Sequence, residues 1–197
     1  MRAVEIFRLA FADEHAPRFR GNARPAAFVD VWRFIQRTEP ENFLAARENG
    51  MLIGYAIFVR SLKGLQRRAL LSGEALRWAL KAITGQYDLR LGSMARILQN
   101  KVLFIRNGQR YRTAGDAQLL NVAVHPNMRG RGVARALVTE GLGHLARQRI
   151  PEVRLEVRPW NRAAVRVYES TGWRTVGQTR DAEGEWLVMV ANPAARR

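Results

Sequence analysis

Apolar positions along this chain recur at helical period in some stretches and at extended period in others. Between Ala26 and Arg37, Phe28, Val31, Trp32, Phe34 and Ile35 stand close to helical spacing, and Pro25 suits the first turn of such a helix. Phe43 to Arg47 and Met51 to Val59 flank Glu48-Asn49-Gly50. An Asn-Gly pair between two apolar runs predicts a β-hairpin, because both residues accept the positive φ of a tight hairpin turn. Leu62, Leu65, Leu76, Leu80 and Ile83 predict an apolar helical stripe, carried on one helix or on two broken at Ser72-Gly73. Leu91 to Arg106 fits a further helix, and Val102 to Tyr111 around Asn107-Gly108 equally fits a hairpin.

The pattern sharpens after Gly115. Leu119 to Val124 is apolar apart from Asn121, which predicts a strand buried on both faces. Val133 to Arg147 predicts a helix with Val133, Leu137, Val138, Leu142 and Leu145 turned inward. Val153 to Val157 alternates as a strand, Asn161 to Ser170 reads as a short helix, and a short hairpin between Gly177 and Trp186 leads into a closing strand over Glu185 to Val190. Strand, helix, strand, helix, strand is an α/β order, with a parallel crossover between Val124 and Val153.

Composition narrows the chemistry. A chain of 197 residues with 47% hydrophobic positions is a single domain, 1–197, with a core of ordinary size. The absence of cysteine excludes disulfides, thiolate metal sites and a cysteine nucleophile, and three scattered His make no zinc site, so no metal is expected. No apolar run approaches the roughly 20 residues of a membrane helix. The first fifteen residues, interrupted by Arg8, Asp13 and Glu14, do not read as an export signal, so a cytoplasmic location is expected. The net charge of +16 attracts polyanions, anionic lipid or phosphorylated small molecules. Residues 60–112 carry most of that surplus, with twelve Lys or Arg against Glu74 and Asp88. At helical pitch Lys63, Arg67, Arg77 and Lys81 fall within about 80° of one another.

Between the apolar run and the helix that follows lies Arg129-Gly130-Arg131-Gly132-Val133-Ala134. Glycines there let backbone amides approach a ligand, the helix N-terminus presents unpaired N–H groups, and arginines add charge, so the place suits a pyrophosphate. A basic turn opening a helix explains the same residues, and the run lacks the spacing of a Walker or dinucleotide-binding loop. With Leu119-Leu120-Asn121-Val122-Ala123-Val124-His125-Pro126 ahead of it, however, this stretch resembles the acetyl-CoA motif of the GCN5-related N-acetyltransferases (GNAT superfamily). Leu155-Glu156-Val157-Arg158, Asn161, Ala164, Tyr168-Glu169 and Gly172-Trp173 resemble the second motif of that superfamily in order and spacing. The wording is most similar to the bacterial ribosomal-protein alanine N-acetyltransferases. The resemblance is clear over Ala117 to Val190, weak over Ala26 to Val59, and absent over Arg60 to Arg112.

The resemblance implies a GNAT fold: a mixed central sheet with helices on both faces, splayed parallel strands at the acetyl-CoA site, and a basic, mostly helical insertion at about 60–112 between the third and fourth strands. It implies transfer of an acetyl group from acetyl-CoA to a primary amine by direct attack in a ternary complex. On that reading Val122, Ala123 and Val124 lie along the pantetheine arm. The amides of Gly130, Arg131, Gly132, Val133, Ala134 and Arg135 hold the pyrophosphate, with Arg129 and Arg131 as charge partners, and Asn161 bonds the pantetheine. Tyr168 protonates the departing thiolate; the ordinary alternative is a core tyrosine. Glu156 matches the position of the base, and a solvated strand glutamate explains it equally; Arg154 and Arg158 beside it favour the carboxylate and lower its basicity. Asp116 is the second candidate base. Trp160 and Trp173 fall near the implied site, with core packing the first reading of both.

Two departures stand out. The family begins with a strand, whereas Met1 to Phe7 reads as helix, and a missing first strand leaves a sheet edge compatible with a homodimer. The basic insertion reads as a solvated cap, as a site for an anionic acceptor or partner, or as a surface for membrane, since a basic amphipathic helix with Trp78 and leucines is the relevant pattern. Rival readings of the whole are a polyanion- or nucleic-acid-binding module on the same scaffold and a CoA sensor without catalysis.

Overall fold

The Asn-Gly turn forms where the sequence places it. In a computed structural model, described for residue 6 and residues 25–87, 114–181 and 184–195, Asn49 and Gly50 have φ of 50° and 78° and join strand β1, Phe43–Glu48, to β2, Met51–Val59. Before them helix α1 spans Pro25–Thr38, with proline at the position where its missing N–H costs nothing. After them come α2, Leu62–Leu71, and α3, Glu74–Ile83, broken at Ser72-Gly73, where Gly73 takes a φ of 74°. The remaining elements are β3, Ala117–Val124; α4, Val133–Arg147; β4, Val153–Val157; α5, Arg162–Ser170; β5, Arg174–Asp181; and β6, Gly184–Ala191. The hairpin of β5 and β6 is longer than the sequence suggested. The readings over Leu91 to Arg106 and Val102 to Tyr111 lie outside the described residues, as does Met1 to Phe7 except Ile6, which is helical and buried.

The six strands form one sheet in the order β1-β2-β3-β4-β6-β5, antiparallel except where β3 meets β4. Among the described residues no strand precedes β1, which forms one edge. The strand buried on both faces is β2, not β3 as expected: every residue of β2 after Met51 is buried. Its side chains alternate between the two cores. Ala56 and Phe58 pack with α4, Leu155 and Met189, while Tyr55, Ile57 and Val59 pack with Trp32 and Ile35 of α1 and Leu65 of α2. Leu137, Val138, Leu142 and Leu145 of α4 are buried as expected, together with Gly141. That glycine is required by closeness, since a Cβ there would stand 2.1 Å from the Phe58 ring.

The insertion helices correct two expectations. Because the chain breaks at Gly73, Lys63, Arg67, Arg77 and Lys81 do not share one helical face. The inward residues of α3 are Ala75 and Trp78, with Trp78 edge-on to Phe34 at 5.5 Å, whereas Leu76, Leu80 and Ile83 face solvent. Polar contacts fix this orientation. Asp30 of α1 accepts from Lys81 Nζ at 2.6 Å and from Tyr87 Oη at 2.7 Å, and Arg37 bonds Glu74 at 2.8 Å. Burial opposes the Asp30 charge, but these donors outweigh it and hold its carboxyl below the usual range.

Gly141→Ala forces either α4 or Phe58 to move, and overpacking of this kind costs about 1–3 kcal/mol. The urea midpoint is expected to fall with an unchanged slope; a midpoint equal to wild type contradicts this packing.

Candidate functional site

Strands β3 and β4 start as neighbours and then part. Their parallel ladder joins Ala117 to Val153 and Gln118 to Arg154 and goes no further, although β3 continues to Val124. A bulge accompanies the divergence: Ile57 and Phe58 of β2 pair with Asn121 and Leu119, leaving Leu120 as an extra residue. The bulge shifts which residues face which core. Ala117 and Leu119 face the α4 side, then Val122 does, and Ala123 packs toward α1 and α2. His125 N donates to Ile53 O at 2.8 Å, and alternation along an antiparallel strand therefore directs the N–H groups of Val124 and Val122 away from β2, toward the gap.

That gap opens into a cavity of about 600 Å³. It brings together Val122, Ala123, Val124, Arg129, Gly130, Gly132, Val133, Ala134, Arg135, Asn161 and Tyr168, all singled out in the sequence. Gly130 and Gly132 have φ of 76° and 78°, a region where a side chain is strained, and Gly132 opens α4 without a side-chain cap. The first amides of α4 thus stand at the cavity floor with no capping side chain, an arrangement that receives an anion. Asn161, also on the cavity, caps α5, its Oδ1 accepting from Ala164 N at 3.1 Å, so that of its side-chain polar atoms the amide nitrogen is not used by this cap. Tyr168 lies about two turns further along α5, its ring tilted 59° against buried Trp173 at 5.9 Å. Trp160, in contrast, is exposed and stands against Arg158.

A family profile of the Acetyltransferase (GNAT) family matches residues 8–173, most of the chain. The chain belongs to this family. The match reaches further toward the N-terminus than the motifs alone and includes the basic segment, and the family uses acetyl-CoA. Mycothiol acetyltransferase of Streptomyces scabiei is 48% identical over 54 residues, which cover 27% of this chain and 18% of that protein. The [ribosomal protein bS18]-alanine N-acetyltransferase of Escherichia coli K12 is 38% identical over 80 residues, covering 38% of this chain and 54% of that protein. The chain therefore spans less than a fifth of the first relative and about half of the second. An N-acetyltransferase structure from Staphylococcus aureus Mu50 superimposes with a TM-score of 0.60 over 95% of this chain and 92% of that one at 17% identity, a likeness of fold.

Three of the residues singled out in the sequence are not among those lining the cavity. Arg131 does not line the cavity; its guanidinium grips Glu48 at 3.1 and 3.2 Å, tying the loop to the β1–β2 turn. Asp116 precedes β3, roughly 20 Å along the strand from Val122. Its Oδ2 accepts from Lys63 N at 2.7 Å, so its carboxylate caps α2, which accounts for it without a role as base. Glu156 stands on β4 among the residues turned away from the α4–α5 core, bonded to Arg154 Nε at 2.6 Å. Burial raises its carboxyl above the usual range, only partly offset by Arg154, and Arg158 is engaged by Asp181 instead, so its basicity is enhanced rather than lowered. The cavity also uses Met128, Ala163, Arg166, Val167 and Ser170, which the motifs did not supply. Their signal was the i, i+3, i+4, i+7 spacing of Ala163, Arg166, Val167 and Ser170 on one face of α5.

The two functions of Asn161 can be separated. Asn161→Asp keeps an acceptor for the Ala164 amide and a stable helix start, while Asn161→Ala loses the cap at about 1 kcal/mol. Both are expected to weaken acetyl-CoA binding by calorimetry, and only the alanine variant lowers the melting temperature. Wild-type affinity in both would remove Asn161 from the site.

Proposed function

We propose that this chain is an acetyl-CoA-dependent N-acetyltransferase acting on a primary amine in a ternary complex, within a single domain. The observation that carries the reading is the gap between β3 and β4, where N–H groups of β3 turned away from β2 and the first amides of α4 line one cavity with Tyr168. This arrangement fits acetyl-CoA part by part. Val122 and Val124 offer strand-like bonds to the amides of a pantetheine arm, and Gly130 to Arg135 offer N–H groups to its pyrophosphate, with Arg129 adding charge. Bound acetyl-CoA supplies the thioester.

Tyr168 gives its phenolic proton to the sulfur as the C–S bond breaks and the new C–N bond forms. Glu156 takes the proton of the incoming ammonium through water. Glu156 lies on the face of β4 away from the α4–α5 core, and on this reading the amine approaches from the side opposite Tyr168, so that acid and base do not compete for one proton. The relatives' names point to different chemistry, mycothiol in one and a ribosomal-protein alanine in the other. Their shared segments therefore support the acetyl donor rather than one acceptor.

Acetyl-CoA is expected to raise the melting temperature saturably at physiological salt, with inorganic pyrophosphate and a DNA duplex producing no equal shift. A shift matched by any polyanion would favour a polyanion-binding module. Tyr168→Phe is expected to lower kcat roughly 100-fold while leaving acetyl-CoA binding intact; undiminished turnover across pH would overturn the acid. For Glu156, whose carboxyl is held above its usual range, the rate falls on acidification as the carboxylate is protonated. Glu156→Gln is expected to remove that limb of the kcat/KM profile, and a persisting limb would assign the base elsewhere.

A further inference from the structure

Helix α3 is apolar on two sides. Its inner side, Ala75 and Trp78, is accounted for by α1, and at helical pitch Leu76, Leu80 and Ile83 fall within about 60° of one another on the outer side. These three are 66%, 53% and 77% exposed, and Leu70 and Leu71 at the adjoining end of α2 are 70% and 76% exposed. Five large aliphatic side chains on one two-helix tip exceed the scattered exposure that a soluble surface normally carries. Lys63, Arg67, Arg68 and Arg77 are exposed on the same two helices. The one acidic residue of α2 and α3, Glu74, is half-buried and paired with Arg37 and Arg77.

We propose that the outer face of the α2–α3 hairpin docks on an anionic lipid surface, with Leu70, Leu71, Leu76, Leu80 and Ile83 entering the headgroup region and Arg67, Arg68 and Lys63 contacting lipid phosphates. Charge complementarity selects this occupant. Lipid satisfies both halves of the surface at once, burying aliphatic groups while phosphate meets the cations. A nucleic acid would meet the arginines but leave the leucines in water, and a second copy would set one basic hairpin against another. The five aliphatic side chains are more than half exposed, and a headgroup layer requires no matching shape. The surface is formed by α2 and α3, and the cavity is lined by β3, the α4 loop and α5, so docking does not depend on the catalytic reading.

Flotation of the full chain with vesicles of phosphatidylcholine alone, or mixed equally with phosphatidylglycerol, tests the proposal. The chain is expected to float with the mixed vesicles and not the neutral ones, and to be released by high salt. The triple variant Leu76→Gln, Leu80→Gln, Ile83→Gln is expected to lose at least about tenfold in bound fraction, as is Arg67→Gln with Arg68→Gln. Because all five positions are exposed, both variants are expected to keep the wild-type melting temperature, which separates lost docking from lost folding. No flotation by wild type overturns the proposal. So does flotation undiminished in the leucine variant, and so does a lipid-free dimer that this variant dissolves.

Discussion

The site depends on one interruption of hydrogen bonding. β3 and β4 share a parallel ladder for two residue pairs, and then β3 continues to Val124 paired with β2 but not with β4. Main-chain donors and acceptors withdrawn from water need partners, so an unpaired strand edge inside a fold is either covered or offered to a ligand. A bulge at Leu120 accompanies the divergence, the ladder with β2 continues to Val124, and residues of α4 and α5 line the cavity. Gly54 contributes from β2: a Cβ there would lie 3.1 Å from both Ala123 O and Val133 Cγ1, so its lack of a side chain lets α4 close onto the strand.

Much of this was legible in sequence because local rules decided it. Asn49-Gly50 specified the hairpin, Ser72-Gly73 the helix break, and the glycines at 130 and 132 the turn into α4. What periodicity does not reveal is which apolar face meets the core. Leu76, Leu80 and Ile83 form as regular a stripe as any in the chain, yet α1 takes the Trp78 side, held there by the hydrogen bonds that Lys81 and Tyr87 donate to Asp30 from 51 and 57 positions away. The apolar run of β3 misled for a related reason: one of its edges borders a cavity, so residues that would be buried between helices are only half covered.

Charged residues were the least legible. Arg131 and Arg129 look equivalent beside the glycines, but Arg131 reaches across to Glu48 at the β1–β2 turn, whereas Arg129 lines the cavity. Glu156 has arginines two positions away on both sides, yet Asp181 engages Arg158, and burial then governs the carboxylate. Asp116 accepts from the Lys63 amide of the insertion, a structural partner that the local pattern did not announce. In each case the deciding partner comes from another element, beyond the reach of local pattern.

The claim that the edge of β3 is the binding surface for acetyl-CoA is tested most directly by amide hydrogen exchange, residue by residue, with and without acetyl-CoA. Val122 and Val124, directed into the gap, are expected to gain strong protection together with the amides of Gly130 to Arg135, while Ala123, already in the β2 ladder, changes little. Protection confined to the arginine-rich surfaces, with Val122 and Val124 exchanging as before, would contradict it.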